Sequence, residues 1–346
     1  MTKLSALLIV ISITVVFGQT KNDPYRYREE KHLKNIKMLT NAGQNAEAYL
    51  SFDNKKLIYQ SNDDNLPCDQ IFIMDLKGKG KHMVSTGLGA TTCSYFLPGN
   101  KTIIYSSTHG ADKNCPPKAD RSKGYVWKLY DTFKIYKADS SGKNIVCLTE
   151  APGYNAEATV SPKGDKIVFT STRDGDPEIY TMNIDGSDQK RLTFEKGYDG
   201  GAFFSADGSK IVFRASRPKT EQELKDYEEL VKDGLVRPTA LEICVMDADG
   251  KNIKQLTHFG KASFAPFFFP DGKRIIFASN MNADKPMNFN LYKINTDGTG
   301  LEQITFDNSF NSFPMFTKNG KKLIFGSNRF NKKPHDTNVF IADWVE

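Results

Sequence analysis

Residues Tyr154–Phe194 read YNAEATVSPKGDKIVFTSTRDGDPEIYTMNIDGSDQKRLTF. β-Branched and aromatic runs alternate here with turn sequences such as Ser-Pro-Lys-Gly and Asp-Gly, which is the pattern of short strands joined by tight hairpins. The stretch predicts four strands, at Ala156–Val160, Lys166–Thr172, Glu178–Asn183 and Gln189–Thr193. One such sheet is too small to be stable alone, so the fold depends on whether the unit recurs.

The unit recurs along the chain. Residues Tyr198–Thr257 repeat it 44 residues later, with Ile211-Val212-Phe213 in place of Ile167-Val168-Phe169. A fixed period with the same turn residues marks a repeat architecture. The aromatic residue of the second strand identifies six repeats, at Tyr59, Tyr105, Phe169, Phe213, Phe277 and Phe325.

The two ends of the repeat array complement each other. The sixth repeat stops after three strands, the last at Asn338–Trp344, whereas Lys34–Thr40 resembles the fourth strands Lys143–Thr149 and Lys251–Thr257. An N-terminal strand that completes the last repeat closes a ring. We therefore predict an all-β fold: a six-bladed β-propeller over residues 34–346, with four antiparallel strands in each blade.

Two repeats carry long insertions, at about residues 108–131 and 218–238. Both fall between the second and third strands, so we expect both on the same face of the ring. The second contains a short helix, with Thr220 as N-cap and Glu223 as its capping-box partner. Such insertions either cover the rim or carry function.

The N-terminus is predicted to be a signal peptide at residues 1–18. Lys3 precedes the apolar run Leu4–Phe17, which is too short to span a membrane, and cleavage is expected near Gly18. The mature protein should then be periplasmic or secreted, and we expect a monomer without a membrane span. Residues 19–33 are polar and form either a linker or a segment that lies on the surface.

Net charge and cysteine content further restrict the class of protein. The net charge of +6 comes from scattered lysines and arginines, without the basic stripe and interleaved aromatic residues that nucleic-acid binding requires. Five cysteines leave at least one unpaired. Cys68 and Cys115 follow second strands of adjacent repeats and are the favoured disulfide pair, whereas Cys147 and Cys244 lie in strand patterns.

The repeat motif resembles a known family. Phe269–Phe277 reads FPDGKRIIF and Leu291–Thr299 reads LYKINTDGT. These stretches resemble the WD40-like PD40 repeat of TolB propellers, and the resemblance covers about residues 34–346. TolB proteins carry an α/β domain before the propeller, whereas only a short tail precedes it here. The resemblance thus implies a stand-alone TolB-like propeller that binds an envelope protein or peptide.

Known catalytic motifs are missing from the sequence. It has no Gly-x-Ser-x-Gly elbow, no His-Glu-x-x-His and no phosphate-binding glycine loop. Similar propellers that are oligogalacturonate lyases use a His-based metal site. The five histidines here are dispersed, although His109 and His258 could face the same side of the ring.

The remaining candidates line the predicted axis. First strands are innermost in a propeller, and the loops entering them open on the channel mouth. A position that is polar in all six blades holds Asn45, Thr91, Asn155, Asp199, Ser263 and Asn311. The position two residues later holds Glu47, Cys93, Glu157, Gly201, Ala265 and Phe313.

Two functions follow from these residues. In the first, the protein binds a partner without catalysis, and the channel-mouth residues hold a peptide end, water or a cation. Glu47, Glu157 and Asp199 would then suit Ca²⁺. In the second, it is a hydrolase or lyase for a peptide or glycan, or an accessory of a separate peptidase. The features that point to the enzyme are Glu47, Glu157, Asp199, His109, Cys93 and the insertion at residues 108–131. The polar residues could instead only bond loop backbone.

Overall fold

The structure is a computed structural model that describes residues 19–20, 23–62 and 65–346. The predicted signal peptide at residues 1–18 lies outside this range. Six four-stranded antiparallel sheets, here called blades 1 to 6, make up most of the described chain. The first strand of each blade contacts that of the next, and the first strand of blade 6 contacts that of blade 1. This confirms the six-bladed propeller.

The strands of the first three blades follow the predicted turns closely. Blade 1 comprises Gln44–Leu50, Lys56–Asn62, Gln70–Asp75 and His82–Met83. Blade 2 comprises Thr91–Phe96, Thr102–Ser107, Lys134–Asp139 and Val146–Cys147. Blade 3 comprises Asn155–Val160, Lys166–Ser171, Glu178–Asn183 and Lys190–Arg191.

The other three blades have the same order, and blade 6 takes its fourth strand from the N-terminal side. Blade 4 comprises Tyr198–Phe204, Lys210–Ser216, Glu242–Asp247 and Lys254–Gln255. Blade 5 comprises Ser263–Phe268, Arg274–Ser279, Asn290–Asn295 and Glu302–Gln303. Blade 6 comprises Asn311–Phe316, Lys322–Ser327, Asn338–Trp344 and Leu33–Met38.

The core lies between blades. Second strands are buried on both faces because each blade is covered by its two neighbours, so their apolar triplets, such as Ile167-Val168-Phe169 and Ile211-Val212-Phe213, are fully buried. This explains why these strands read as continuous apolar runs instead of alternating ones.

Residues 23–32 pack on blade 6. The strands Gln19–Thr20 and Asp23–Tyr27 pair with each other. Glu30 forms a buried ion pair with Arg329 of blade 6, with 2.9 Å between Oε1 and Nη2. Because an unpaired buried charge is costly, this pair fixes the segment in place. Of the two roles open for this segment, the structure shows a surface-packed one.

The two insertions meet on one face of the ring. The strand Trp127–Lys128 of the first pairs with Leu235–Val236 of the second. The helix Glu221–Lys232 precedes the latter strand, with the capping box of Thr220 and Glu223 formed. Val126, Leu230 and Leu235 form a small apolar cluster of their own. We call this assembly the roof.

Candidate functional site

A cavity of about 620 Å³, here called the funnel, lies beneath the roof. Its walls come from first and second strands, and Trp127, Lys128 and Tyr130 reach it from the roof. Phe203 also lines the funnel, and its ring centroid lies 5.4 Å from those of both Tyr49 and Phe267. The cavity is therefore lined by both polar and aromatic groups.

A ring of six residues surrounds the funnel. It consists of the second predicted set, Glu47, Cys93, Glu157, Gly201, Ala265 and Phe313, and all six line the cavity. Each has a positive φ, between 50° and 60°. Each also lies where the pairing of the first and second strands shifts register, as at Ala156/Thr159 in blade 3. We call these residues the bulge ring.

The bulges explain why these side chains reach the axis. An extra residue in one strand breaks the alternation of the pleat and redirects its side chain. Left-handed backbone costs a residue with a Cβ on the order of 1 kcal/mol or more, so it persists only where the surrounding fold imposes it. Here the fold imposes it on five residues that are not glycine.

The first predicted set lies elsewhere. All six of its side chains are fully buried, and among them only Thr91 lines the funnel. Asn45 accepts a hydrogen bond from Ser61 at 2.9 Å and donates to the carbonyls of Ala42 and Thr337. A hydrogen bond between this position and a serine of the second strand forms in four other blades, at Thr91–Ser107, Asn155–Ser171, Ser263–Ser279 and Asn311–Ser327. These residues hold the strand ends together.

Asp199 is the exception in this set, because blade 4 has Ala215 where the others have serine. Its carboxylate pairs with Arg217 at 2.7 Å. Burial raises the pKa of Asp199 to about 7, against the lowering effect of Arg217. Asp199 thus pairs with an arginine of its own blade and does not line the funnel.

An ion pair occupies one wall of the funnel. Arg214, from the second strand of blade 4, donates to Glu157 of the bulge ring and, at 2.7 Å, to the Tyr198 hydroxyl. Glu157 also accepts from Thr170 at 2.7 Å and from the Gly201 amide at 2.9 Å. Trp127 of the roof stacks over the guanidinium at 5.2 Å. Both charges are therefore satisfied within the protein.

Glu47 has a different environment, although it occupies the same position in blade 1. Its one hydrogen bond among the described residues comes from the Cys93 thiol, at 3.6 Å. Burial, together with a smaller effect of the nearby Glu157, raises the pKa of Glu47 to about 7, against the lowering effect of the Cys93 hydrogen bond. The wall beside it carries Gln60, which contacts Asp69 at 3.3 Å.

The metal hypothesis is not supported. Within the part of the chain that the structure describes, no group of three or more His, Cys, Asp or Glu side chains is placed to hold a metal ion. Asp199 and Glu157 pair with arginines, so Glu47, Glu157 and Asp199 do not form the predicted Ca²⁺ site. His109 packs on the Tyr136 ring at 4.2 Å and is absent from the funnel lining, and His258 bonds Gln255.

The first insertion is tied to blade 1. Cys68 and Cys115 form a disulfide, with 5.9 Å between their Cα atoms, as the sequence favoured. Cys93, Cys147 and Cys244 are free. Lys123 and Asp233 join the two insertions at 2.5 Å. The disulfide therefore anchors the first insertion to blade 1, and the Lys123–Asp233 ion pair joins the second insertion to the first.

Several residues that line the funnel were not predicted from the sequence, among them Gln60, Trp127 and Arg214. A signal for Arg214 existed in its repeat position, the residue after the second-strand aromatic. That position holds Gln60, Ser106, Thr170, Arg214, Ala278 and Gly326, so one blade carries a cation where others carry small or neutral residues. Trp127 lies in an insertion and has no repeat equivalent.

Comparison with known proteins agrees with the repeat type. A family model described as the TolB beta propeller domain matches residues 125–232. The Tol-Pal system protein TolB of Bordetella pertussis is 43% identical over 47 residues, which is 14% of this chain. The matched segment spans only 11% of that relative.

Solved structures share the fold over most of the chain. A TolB from Acinetobacter baumannii aligns with a TM-score of 0.55 and 18% identity, covering 86% of this chain and 65% of that one. An oligogalacturonate lyase in complex with manganese aligns at 0.52 and 11% identity, covering 96% of both chains. At such identities the likeness concerns the fold alone. The chain is a six-bladed β-propeller, and its residues 125–232 match the TolB beta propeller domain.

Proposed function

We propose that the protein is an exported binding propeller whose funnel holds a peptide segment of an envelope partner. The observation that carries the proposal is the bulge ring. Each of the six blades has one residue with left-handed backbone, and all six of these residues line the same roofed cavity. Strained backbone of this kind concentrates at ligand sites. The cavity volume of about 620 Å³ lies in the range of ligand pockets.

The chemistry of the lining supports a peptide ligand. Trp127, Phe264 and Phe313 offer apolar surface, and the satisfied Glu157–Arg214 pair gives the wall a fixed polar edge. Aromatic surface with a few convergent polar groups is typical of pockets that recognise a specific ligand. A closed ring of blades also changes shape little, so binding costs little ordering of the scaffold.

A displayed library of random decapeptides tests this function. The immobilised wild-type protein should enrich a family of peptides, and Trp127→Ala should remove the enrichment by taking away the aromatic roof. Phe194→Ala is the matched control, because Phe194 is 71% exposed and does not line the funnel. Enrichment that Trp127→Ala leaves intact, or no enrichment at all, would contradict the proposal.

We also propose that the chain is exported to the periplasm or secreted. The apolar run Leu4–Phe17 supports this, and among the described residues no helix is long and apolar enough to cross a membrane. Amino-terminal sequencing of protein purified from the native host should start near Gln19. A cytosolic fraction that begins at Met1 would contradict export.

A further inference from the structure

The bulge ring has two chemically different halves. Blades 1 to 3 contribute Glu47, Cys93 and Glu157, whereas blades 4 to 6 contribute Gly201, Ala265 and Phe313. One half of the funnel is thus acidic and the other is small or apolar. A ligand in the funnel would meet both halves at once.

Only one of the two acids in the ring is neutralised. Glu157 accepts bonds from four groups, including the Arg214 guanidinium. The ionisable groups that face Glu47 are Cys93, Glu157, Asp69, Tyr49 and Arg214. Arg214 is the one cation among them, and Glu157 and Tyr198 already occupy it. Glu47 therefore offers the funnel an uncompensated carboxylate.

The other cations of the funnel do not change this balance. Arg121 and Lys128 line it from the first insertion, and Lys128 donates to the backbone carbonyl of Asp233. Both belong to the roof, while Glu47 lies in the first strand of blade 1. The funnel is thus polarised, with free negative charge in the wall and positive charge at the roof.

We infer that Glu47 forms a subsite for a primary ammonium group, whose adjoining apolar group packs on Ala265 and Phe313. This rests on the proposed peptide-binding function and names the part of the peptide that is recognised. A carboxylate with an adjacent aromatic ring, here Tyr49, suits an ammonium through charge-assisted bonding and cation–π contact. The ammonium can come from a peptide amino terminus or from a lysine side chain.

A small probe tests the subsite independently of any peptide. Binding of 2-phenylethylammonium and of the uncharged 2-phenylethanol is measured by calorimetry at pH 8 on the full-length mature protein. The wild type should bind the ammonium at least tenfold more tightly than the alcohol. Glu47→Gln, which keeps size and shape, should abolish this preference, and Glu47→Asp should retain part of it.

Asp284→Asn is the matched control, because it removes one exposed negative charge from a residue outside the funnel lining. It should keep the full preference. Equal affinity for the two probes, no binding of either, or a preference that survives Glu47→Gln would overturn the inference. Peptide enrichment lost with Trp127→Ala would still support the proposed function in that case, so the two failures are distinguishable.

The source of the ammonium is then resolved with three short peptides. Phe-Gly-Gly-amide carries a free amino terminus, acetyl-Phe-Gly-Lys-amide carries only a lysine ammonium, and acetyl-Phe-Gly-Gly-amide carries neither. Glu47-dependent binding of the first peptide identifies an amino terminus, and of the second a lysine side chain. Equal binding of all three would overturn the subsite.

Discussion

Glu47 and Glu157 occupy the same position in their blades, and their neighbours decide their chemistry. Burial raises the pKa of Glu47 in the folded protein to about 7, whereas an exposed Glu in an unfolded chain titrates near pH 4.3. Between these values the folded state binds more protons than the unfolded state. The free energy of unfolding therefore falls as the pH rises through this window.

Removing the Glu47 carboxyl group should remove this contribution. Glu47→Gln is expected to gain stability relative to the wild type, by about 2 kcal/mol more at pH 8 than at pH 5, since one pKa unit corresponds to about 1.4 kcal/mol. Urea unfolding at the two pH values measures the difference. A constant gap between variant and wild type would show that Glu47 is not perturbed.

Gly201 is the one bulge-ring residue without a side chain, and Arg214 is the reason. A Cβ on Gly201 would lie only 2.2 Å from Nη1 of Arg214, which is a steric clash, whereas Ala265 has a Cβ at the equivalent position with φ of 50°. Gly201→Ala should therefore cost about 2 kcal/mol more than Gly272→Ala. Gly272 has a similar φ of 66° and open space around it. Equal losses in chemical denaturation would mean that Arg214 moves aside freely.

At the scale of elements, a disulfide links the roof to blade 1. The Cys68–Cys115 disulfide closes 47 residues, and opening such a loop typically costs about 2–4 kcal/mol. Cys115→Ser should free the first insertion, so trypsin should cleave sooner after Lys113, Lys118 or Arg121. Cys147→Ser, at a half-buried free thiol, is the control. Mass spectrometry measures the cleavage. If its rate is unchanged, the pairing of Trp127–Lys128 with Leu235–Val236 is enough to keep the first insertion in place without the disulfide.

The blades were predictable from the sequence, and the bulges were not. Triplets such as Ile167-Val168-Phe169 place second strands directly, because only residues buried on both faces read as unbroken apolar runs. The offset of two residues also picked out the bulge ring. The sequence could not show that Asn45 and Asn155 point into the blade while Glu47 and Glu157 point to the axis. A bulge cannot be recognised from the spacing of apolar residues. The Glu157–Arg214 pair joins residues 57 positions apart and depends on that geometry.

At the scale of the whole molecule, the ring is closed by a strand that differs from its internal counterparts. Leu33–Met38 pairs with Asn338–Trp344, so the two ends of the propeller share one sheet. The segment before it adds a further layer: Asp23 accepts a bond from the Ile36 amide, and His32 stacks on Trp344 at 4.9 Å. Ile36 is consequently 4% exposed, whereas Ile253, at the equivalent place in blade 4, is 43% exposed.

This difference predicts how strongly the ring depends on its closure. Ile36→Ala should lower the free energy of unfolding by about 2–5 kcal/mol, the usual cost of truncating a buried aliphatic side chain. Ile253→Ala should change it by no more than about 0.5 kcal/mol, because the side chain is already half in water. Urea unfolding of the two variants compares the same substitution in the same local sequence, Lys-Asn-Ile-Lys. Equal losses of unfolding free energy would contradict the prediction. The strand that closes the ring would then contribute no more to stability than the fourth strand of blade 4.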